Sequence, residues 1–128
     1  MLTLLGLCFL LLIALAVLGA TGRAVKAVFL GCAFAMAGFI AVGLGATVAP
    51  VSLPLGPPWA PAMIALDPLS AWFLMILGVV GLPACLFAAA SLPPPRVEGA
   101  AFPLFLAGMA LTLIAADAFT LLLGFELT

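Results

Sequence analysis

Residues 100–128 read AAFPLFLAGMALTLIAADAFTLLLGFELT, and how often this stretch enters a bilayer decides the fold. It is apolar apart from Asp117 and Glu126. As one helix it is a tilted span of about 27 residues that carries Glu126 to the far interface, where a charge costs little. As two helices, a span over 100–116 ends, Asp117 caps a tight turn, and a second helix over 118–128 heads back into the membrane. Glu126 then lies roughly 13 Å beyond Asp117, about nine steps of 1.5 Å each. Ala116-Asp117-Ala118 holds neither glycine nor proline, so local signals favour the continuous helix and leave the other open.

The rest of the chain supplies the frame for that choice. Hydrophobic residues make up 69% of the 128 residues and charged ones 5%, with a mean hydropathy of +1.57. Such a chain lacks the polar surface a soluble domain needs, so the expected class is all-α, a polytopic transmembrane helix bundle in contact with lipid. Leu2 to Ala20 is uncharged and has the length of a first span. A secretory signal peptide competes for this run, but no basic residue precedes it and it exceeds the apolar core of such a peptide. Arg23 and Lys26 follow, the densest positive charge in the sequence. By the positive-inside rule they mark a cytoplasmic loop and leave the N-terminus non-cytoplasmic, in a multi-pass protein of the inner (plasma) membrane.

A second span is expected over 28–48. It carries small residues four apart at Ala33, Ala37, Ala41 and Gly45, a stripe that suits close packing in lipid or is an alanine-rich helix and nothing more. Between 50 and 67 stand Pro50, Pro54, Pro57, Pro58 and Pro61, which exclude a continuous helix, because proline lacks an amide donor and clashes with the preceding turn. This segment is expected to be an external loop, with Trp59 as an anchor at the headgroup level. Asp67-Pro68 is a helix start, with a carboxylate to accept from first-turn amides and a proline whose φ suits the first helical position. The third span is expected over 68–90, bent at Pro83. Residues 91–99, with Pro93-Pro94-Pro95, Arg96 and Glu98, form an inside loop, and Arg96 agrees with that side.

Few residues can carry chemistry. Histidine is absent, and Cys8, Cys32 and Cys85 sit singly in apolar runs, where thiols act as small hydrophobes. No metal, cofactor or catalytic redox site is therefore expected from this chain, and no phosphate loop, nucleophile with a base, or basic stripe for nucleic acid is present. Glu126 is the sharpest candidate. An ionisable side chain in an apolar stretch is expensive and usually serves transport or proton relay, whereas at an interface or a frayed terminus it is an ordinary carboxylate. Asp67 and Asp117 read as helix caps, and Arg23, Lys26 and Arg96 as determinants of topology.

Two stretches carry a resemblance. Leu66-Asp67-Pro68-Leu69-Ser70-Ala71-Trp72-Phe73 resembles the opening of the third span in the antiporter-like, proton-translocating membrane subunits of hydrogenase-4 and formate hydrogenlyase, related to those of respiratory complex I (NADH-quinone oxidoreductase). Phe102-Pro103-Leu104-Phe105-Leu106-Ala107-Gly108-Met109, through Ala116-Asp117-Ala118-Phe119 to Gly124-Phe125-Glu126-Leu127, resembles the segment that leads to that family's membrane-embedded glutamate. Many relatives have tryptophan where this chain has Phe125. The resemblance reverses the local choice of topology. It implies a single transmembrane domain over 1–128 with helices at about 2–20, 28–48, 68–90, 100–116 and 118–128, Asp117 at the turn between the last two and Glu126 as the proton-relay glutamate. It covers only the N-terminal portion of such a subunit, and the later helix whose lysine works with the glutamate lies beyond it. The implied function is proton translocation within an oxidoreductase complex, the partners being other membrane subunits and a peripheral redox arm. The alternative is a small non-catalytic membrane scaffold that packs through the Ala33, Ala37, Ala41 and Gly45 face.

Overall fold

The computed structural model describes residues 2–22, 25–45, 47–52, 56, 58, 61–91 and 96–128. Within them the chain forms α1 (Leu2–Ala20), α2 (Val25–Gly45), β1 (Val48–Ser52), β2 (Met63–Leu66), α3 (Pro68–Ala90), α4 (Arg96–Ile114) and α5 (Ala118–Glu126). Four of these helices, α1 to α4, are long and apolar enough to cross a membrane. The chain is thus an all-α multi-pass membrane bundle, with a minor pair of strands and a short fifth helix.

Its outer surface is as apolar as its interior. Leu7, Phe34, Leu44, Val80 and Phe87 are all exposed, spread over α1, α2 and α3. Water would penalise that surface heavily, and hydrocarbon does not. Inside, Leu12, Met36, Phe39, Val42, Leu74 and Ala107 are fully or almost fully buried. Phe29 and Phe102 bring their rings to 5.4 Å at a 56° tilt, closing α2 against α4.

Lipid tails give helices no hydrophobic reason to associate with each other, so close approach depends on small residues that bring backbones into dispersion contact. Glycines do this work throughout. A Cβ on Gly43 would sit 2.7 Å from the Ala71 carbonyl oxygen, and one on Gly78 would sit 2.7 Å from that of Met36. The α2–α3 pair is the tightest seam in the bundle. At the other end of α1, a Cβ on Gly19 would overlap the Gly99 carbonyl. That carbonyl receives no bond from position 103, because Pro103 inside α4 has no N–H to give. The Gly19 Cα–H lies against it instead, a weak contact of the kind known between closely packed helices.

The expected helices over 2–20 and 68–90 match α1 and α3. The second span is shifted: α2 runs over Val25–Gly45 instead of 28–48. Gly22, at a φ of 68°, turns the chain in one step after α1, with Thr21 and Gly22 amides bonded to the Leu18 and Gly19 carbonyls. Helix α2 begins at Val25, and Lys26 lies exposed in its first turn. The segment 91–99 is not all loop, since α4 starts at Arg96 and takes Glu98 into its first turn, where an acidic residue complements the helix dipole. Pro83 lies within α3, which continues past it to Ala90. The small-residue stripe does not form the internal packing face of α2. Ala33 is buried, but Ala37, Ala41 and Gly45 are exposed.

The proline-rich segment holds structure that composition did not suggest. β1 and β2 pair antiparallel, with Val48 opposite Leu66, Val51 opposite Ile64 and Ser52 opposite Met63, and an irregularity between Val48 and Val51 around Pro50. Ala62, Ile64 and Leu66 alternate inward with the period of a strand and join the core, capping the end of the bundle. Leu2 and Leu5 of α1 line the same small recess as Ile64, Ala65 and Leu66, so the strands cover the N-terminus of α1 as well. Trp59 lies outside the described residues.

Candidate functional site

The last apolar stretch is broken, not continuous: α4 stops at Ile114 and α5 begins at Ala118. Local sequence favours the unbroken helix, and a distant segment overturns it. Ala115 forms an antiparallel bridge with Ile64, and the Ala116 amide donates to the Met63 carbonyl at 2.9 Å. Strand β2 thereby takes over backbone groups that would otherwise continue the α4 ladder.

Asp117 completes the joint. Its Oδ2 accepts from the Phe119 and Thr120 amides at 2.9 and 3.1 Å, as an N-cap of α5 does. Its Oδ1 accepts from the Met63 amide at 2.6 Å and from the Thr120 hydroxyl at 2.5 Å. One carboxylate therefore starts α5 and ties that start to β2. Thr120 is buried with its hydroxyl on Asp117, and the Thr120 hydroxyl, then the Met63 amide, hold the Asp117 carboxyl below the usual carboxylate range. Asp67 caps α3 in a simpler way, accepting from the Ser70 amide at 2.9 Å, and the Ser70 hydroxyl, then this amide, lower its carboxyl as well.

The sign of the pH dependence follows from that depression. A carboxyl lowered in the folded state stabilises the fold above its unfolded pKa of about 3.9, and the contribution disappears as pH falls through the lower folded value. Asp117→Asn is expected to lower the melting temperature in detergent at pH 7, by on the order of 5 °C. The gap between variant and wild type should close as pH drops below about 4. Equal melting at pH 7 would show that the joint does not depend on the charge. Sequence reading identifies Asp117 as a cap but misses Met63 and Thr120. A local signal existed only for Thr120, three residues after the cap, where its hydroxyl can reach back.

From this joint α5 returns along α4. A Cβ on Gly124 would sit 2.6 Å from Thr112 Oγ1 and 2.8 Å from the Thr112 amide nitrogen, and one on Gly108 would sit 2.8 Å from Leu127 Cβ. The Thr112 hydroxyl donates to the Gly108 carbonyl at 2.9 Å, which keeps it satisfied inside the seam. The paired positions, 112 with 124 and 108 with 127, place Glu126 beside the middle of the second half of α4, well inside its apolar length. Glu126 is the last residue of α5 and is exposed, as is Phe125 before it.

Beyond the end of α5 a groove of about 750 Å³ continues along α4. It runs from Leu127 and Thr128 past Phe102 and Phe105 to Ser91 and Glu98. Glu126 does not line it. Of the topology determinants, Lys26 is exposed near the start of α2, Arg96 opens α4, and Arg23 lies outside the described residues. The fold thus joins Asp117, Thr120 and Met63 into one site and holds Asp67 and Glu126 apart from it.

No known protein family, no curated protein and no solved structure matches the chain.

Proposed function

We propose that this chain is, or forms the N-terminal part of, a proton-translocating membrane subunit of a hydrogenase-4 or complex I-like oxidoreductase, with Glu126 as a protonatable relay group. The observation that supports this reading is the return of α5 along α4. It sets Glu126 alongside α4, between the levels of Gly108 and Thr112, and an ionised side chain inside a span is expensive unless it is paired, hydrated or neutral. The exposure of Glu126 in the isolated chain fits a group that faces a neighbouring helix of the assembled complex.

In this reading the redox centres belong to a peripheral arm, and other membrane subunits complete the path. The basic residues Arg23, Lys26 and Arg96 keep the α1–α2 and α3–α4 connections cytoplasmic, so the N-terminus and the strand pair lie on the opposite side of the plasma membrane.

The test is Glu126→Gln in the assembled complex, with proton uptake followed by a pH-sensitive dye in inverted membrane vesicles. Proton transfer is expected to fall on the order of tenfold or more, with electron transfer and assembly retained. Unchanged proton transfer would sink the relay. A scaffold reading rests on the outward placement of Ala37, Ala41 and Gly45. It takes over if Glu126→Gln is silent while Ala37→Leu with Ala41→Leu releases the partner subunits.

A further inference from the structure

Cys32 and Cys85 are far apart in sequence and read there as unrelated small hydrophobes, yet the α2–α3 seam sets them face to face. Along this antiparallel seam Gly43 packs on Met75, Ile40 on Gly78 and Met36 on Gly81. One further helical turn puts residue 32 of α2 opposite residue 85 of α3. The side chains agree: Cys32 and Cys85 belong to the same buried core cluster. Both thiols are free and completely buried, at 0% exposure. At Gly43 and Gly78 the glycine contacts bring the two backbones to van der Waals distance, and a disulfide demands a similarly short Cα separation one or two turns further on.

We propose that Cys32 and Cys85 form a modification site, a vicinal dithiol that closes to an α2–α3 disulfide when a small neutral peroxide reaches the bundle core. The chemistry balances in two steps. Hydrogen peroxide oxidises one sulfur to a sulfenic acid and leaves as water. The other thiol then attacks that sulfur, the S–S bond forms, and the sulfenic oxygen leaves with a proton as a second water. Two thiols and one peroxide thus give one disulfide and two waters, and a dithiol reductant reverses the change. Complete burial in hydrocarbon selects the oxidant, since a charged reagent cannot enter and an uncharged one as small as peroxide can. Cys8 is the internal control. It packs in a different seam, with its sulfur against Gly38.

The bridge would fasten α2 to α3, the helix pair whose backbones meet at Gly43 and Gly78. The experiment uses the full chain in membrane vesicles. Vesicles are treated with hydrogen peroxide, quenched with excess alkylating agent after denaturation, and the remaining thiols are counted by mass. Wild type is expected to lose two of its three thiols within one chain, a mass decrease of about 2 Da, and to regain them after a dithiol reductant. Cys8→Ala should retain this behaviour, whereas Cys32→Ala and Cys85→Ala should abolish it. The proposal is overturned if all thiols of the wild type survive peroxide, if crosslinks form only between chains, or if the loss persists in Cys32→Ala. Should a cysteine variant fail to accumulate, peptide mapping of the oxidised wild type decides alone, by whether the 32 and 85 peptides are joined.

Discussion

Replacing Gly124 with leucine is expected to strip α5 from α4 and leave the four long helices in place. The Gly124 position has no room for even one carbon, because a Cβ would lie 2.6 Å from the Thr112 hydroxyl and 2.8 Å from the Thr112 amide. The nearest obstacle is a short side chain already held by its bond to the Gly108 carbonyl, and the next is backbone. Neither can move away as the tip of a long side chain could. Overpacking in a well-packed interior costs about 1–3 kcal/mol. Here that strain falls on a nine-residue helix whose main packing partner is α4, so release is the cheaper response. The measurement is amide hydrogen exchange in detergent micelles. Protection over 118–126 should fall at least tenfold while α1 to α4 keep theirs. Unchanged protection in the variant would mean that α5 is held by something other than the Gly108, Thr112 and Gly124 seam. Under the proposed relay the same variant should lose proton transfer with Glu126 intact, since the helix that carries the carboxyl is released from α4.

The second large effect is expected at Gly19, and a comparison with Gly6 isolates its cause. Both glycines lie in α1, and on helix propensity alone replacing either should help by roughly 0.5–1 kcal/mol. Their surroundings differ. Nothing lies within 4 Å of a Cβ on Gly6, whereas one on Gly19 would overlap the Gly99 carbonyl oxygen. Pro103 leaves that oxygen without the usual bond from within α4, so α1 and α4 meet where one helix has a bare carbonyl and the other a bare Cα. Gly19→Val must push the two helices apart at this crossing and part the Gly99 carbonyl from the α1 backbone, an overpacking cost of about 1–3 kcal/mol. Thermal melting in detergent should show Gly19→Val unfolding at least 5 °C below wild type, with Gly6→Ala equal to or above it. Matching melts for Gly19→Val and wild type would remove the crossing from the account of stability.

Much of the fold is legible in residue order, and the reason in each case is local. The spans at about 2–20 and 68–90 were readable, since an uncharged run of bilayer length marks the first and an Asp-Pro cap followed by apolar residues marks the start of the second. The shift of α2 to Val25–Gly45 has a local cause as well. Gly22 turns the chain at a positive φ just after α1, and a lysine in the first helical turn does not stop a helix from forming. The small-residue stripe misleads because alanine is too common in this chain to mark a face. The glycines at 38, 43, 78 and 81, each with a neighbour where its Cβ would be, mark the packing faces instead.

What the sequence by itself determined is that this is a membrane protein of apolar helices, capped at Asp67 and Asp117, with one carboxyl at Glu126 near the end of an otherwise uncharged helix. Composition and spacing suffice for that, because a bilayer requires every spanning segment to satisfy its own backbone. Residue types left open whether the last stretch breaks, the resemblance expects the break at Asp117, and only the tertiary structure shows what makes it. The groups that end α4 are the backbone of Met63 and Ile64, some fifty residues away, and no window around Ala116 contains them. The same holds for the thiols, since Cys32 and Cys85 meet only after α2 and α3 have chosen their register through glycines. A helix end and a side-chain pair of this kind are set by which distant groups arrive, and that depends on the packing of the whole bundle.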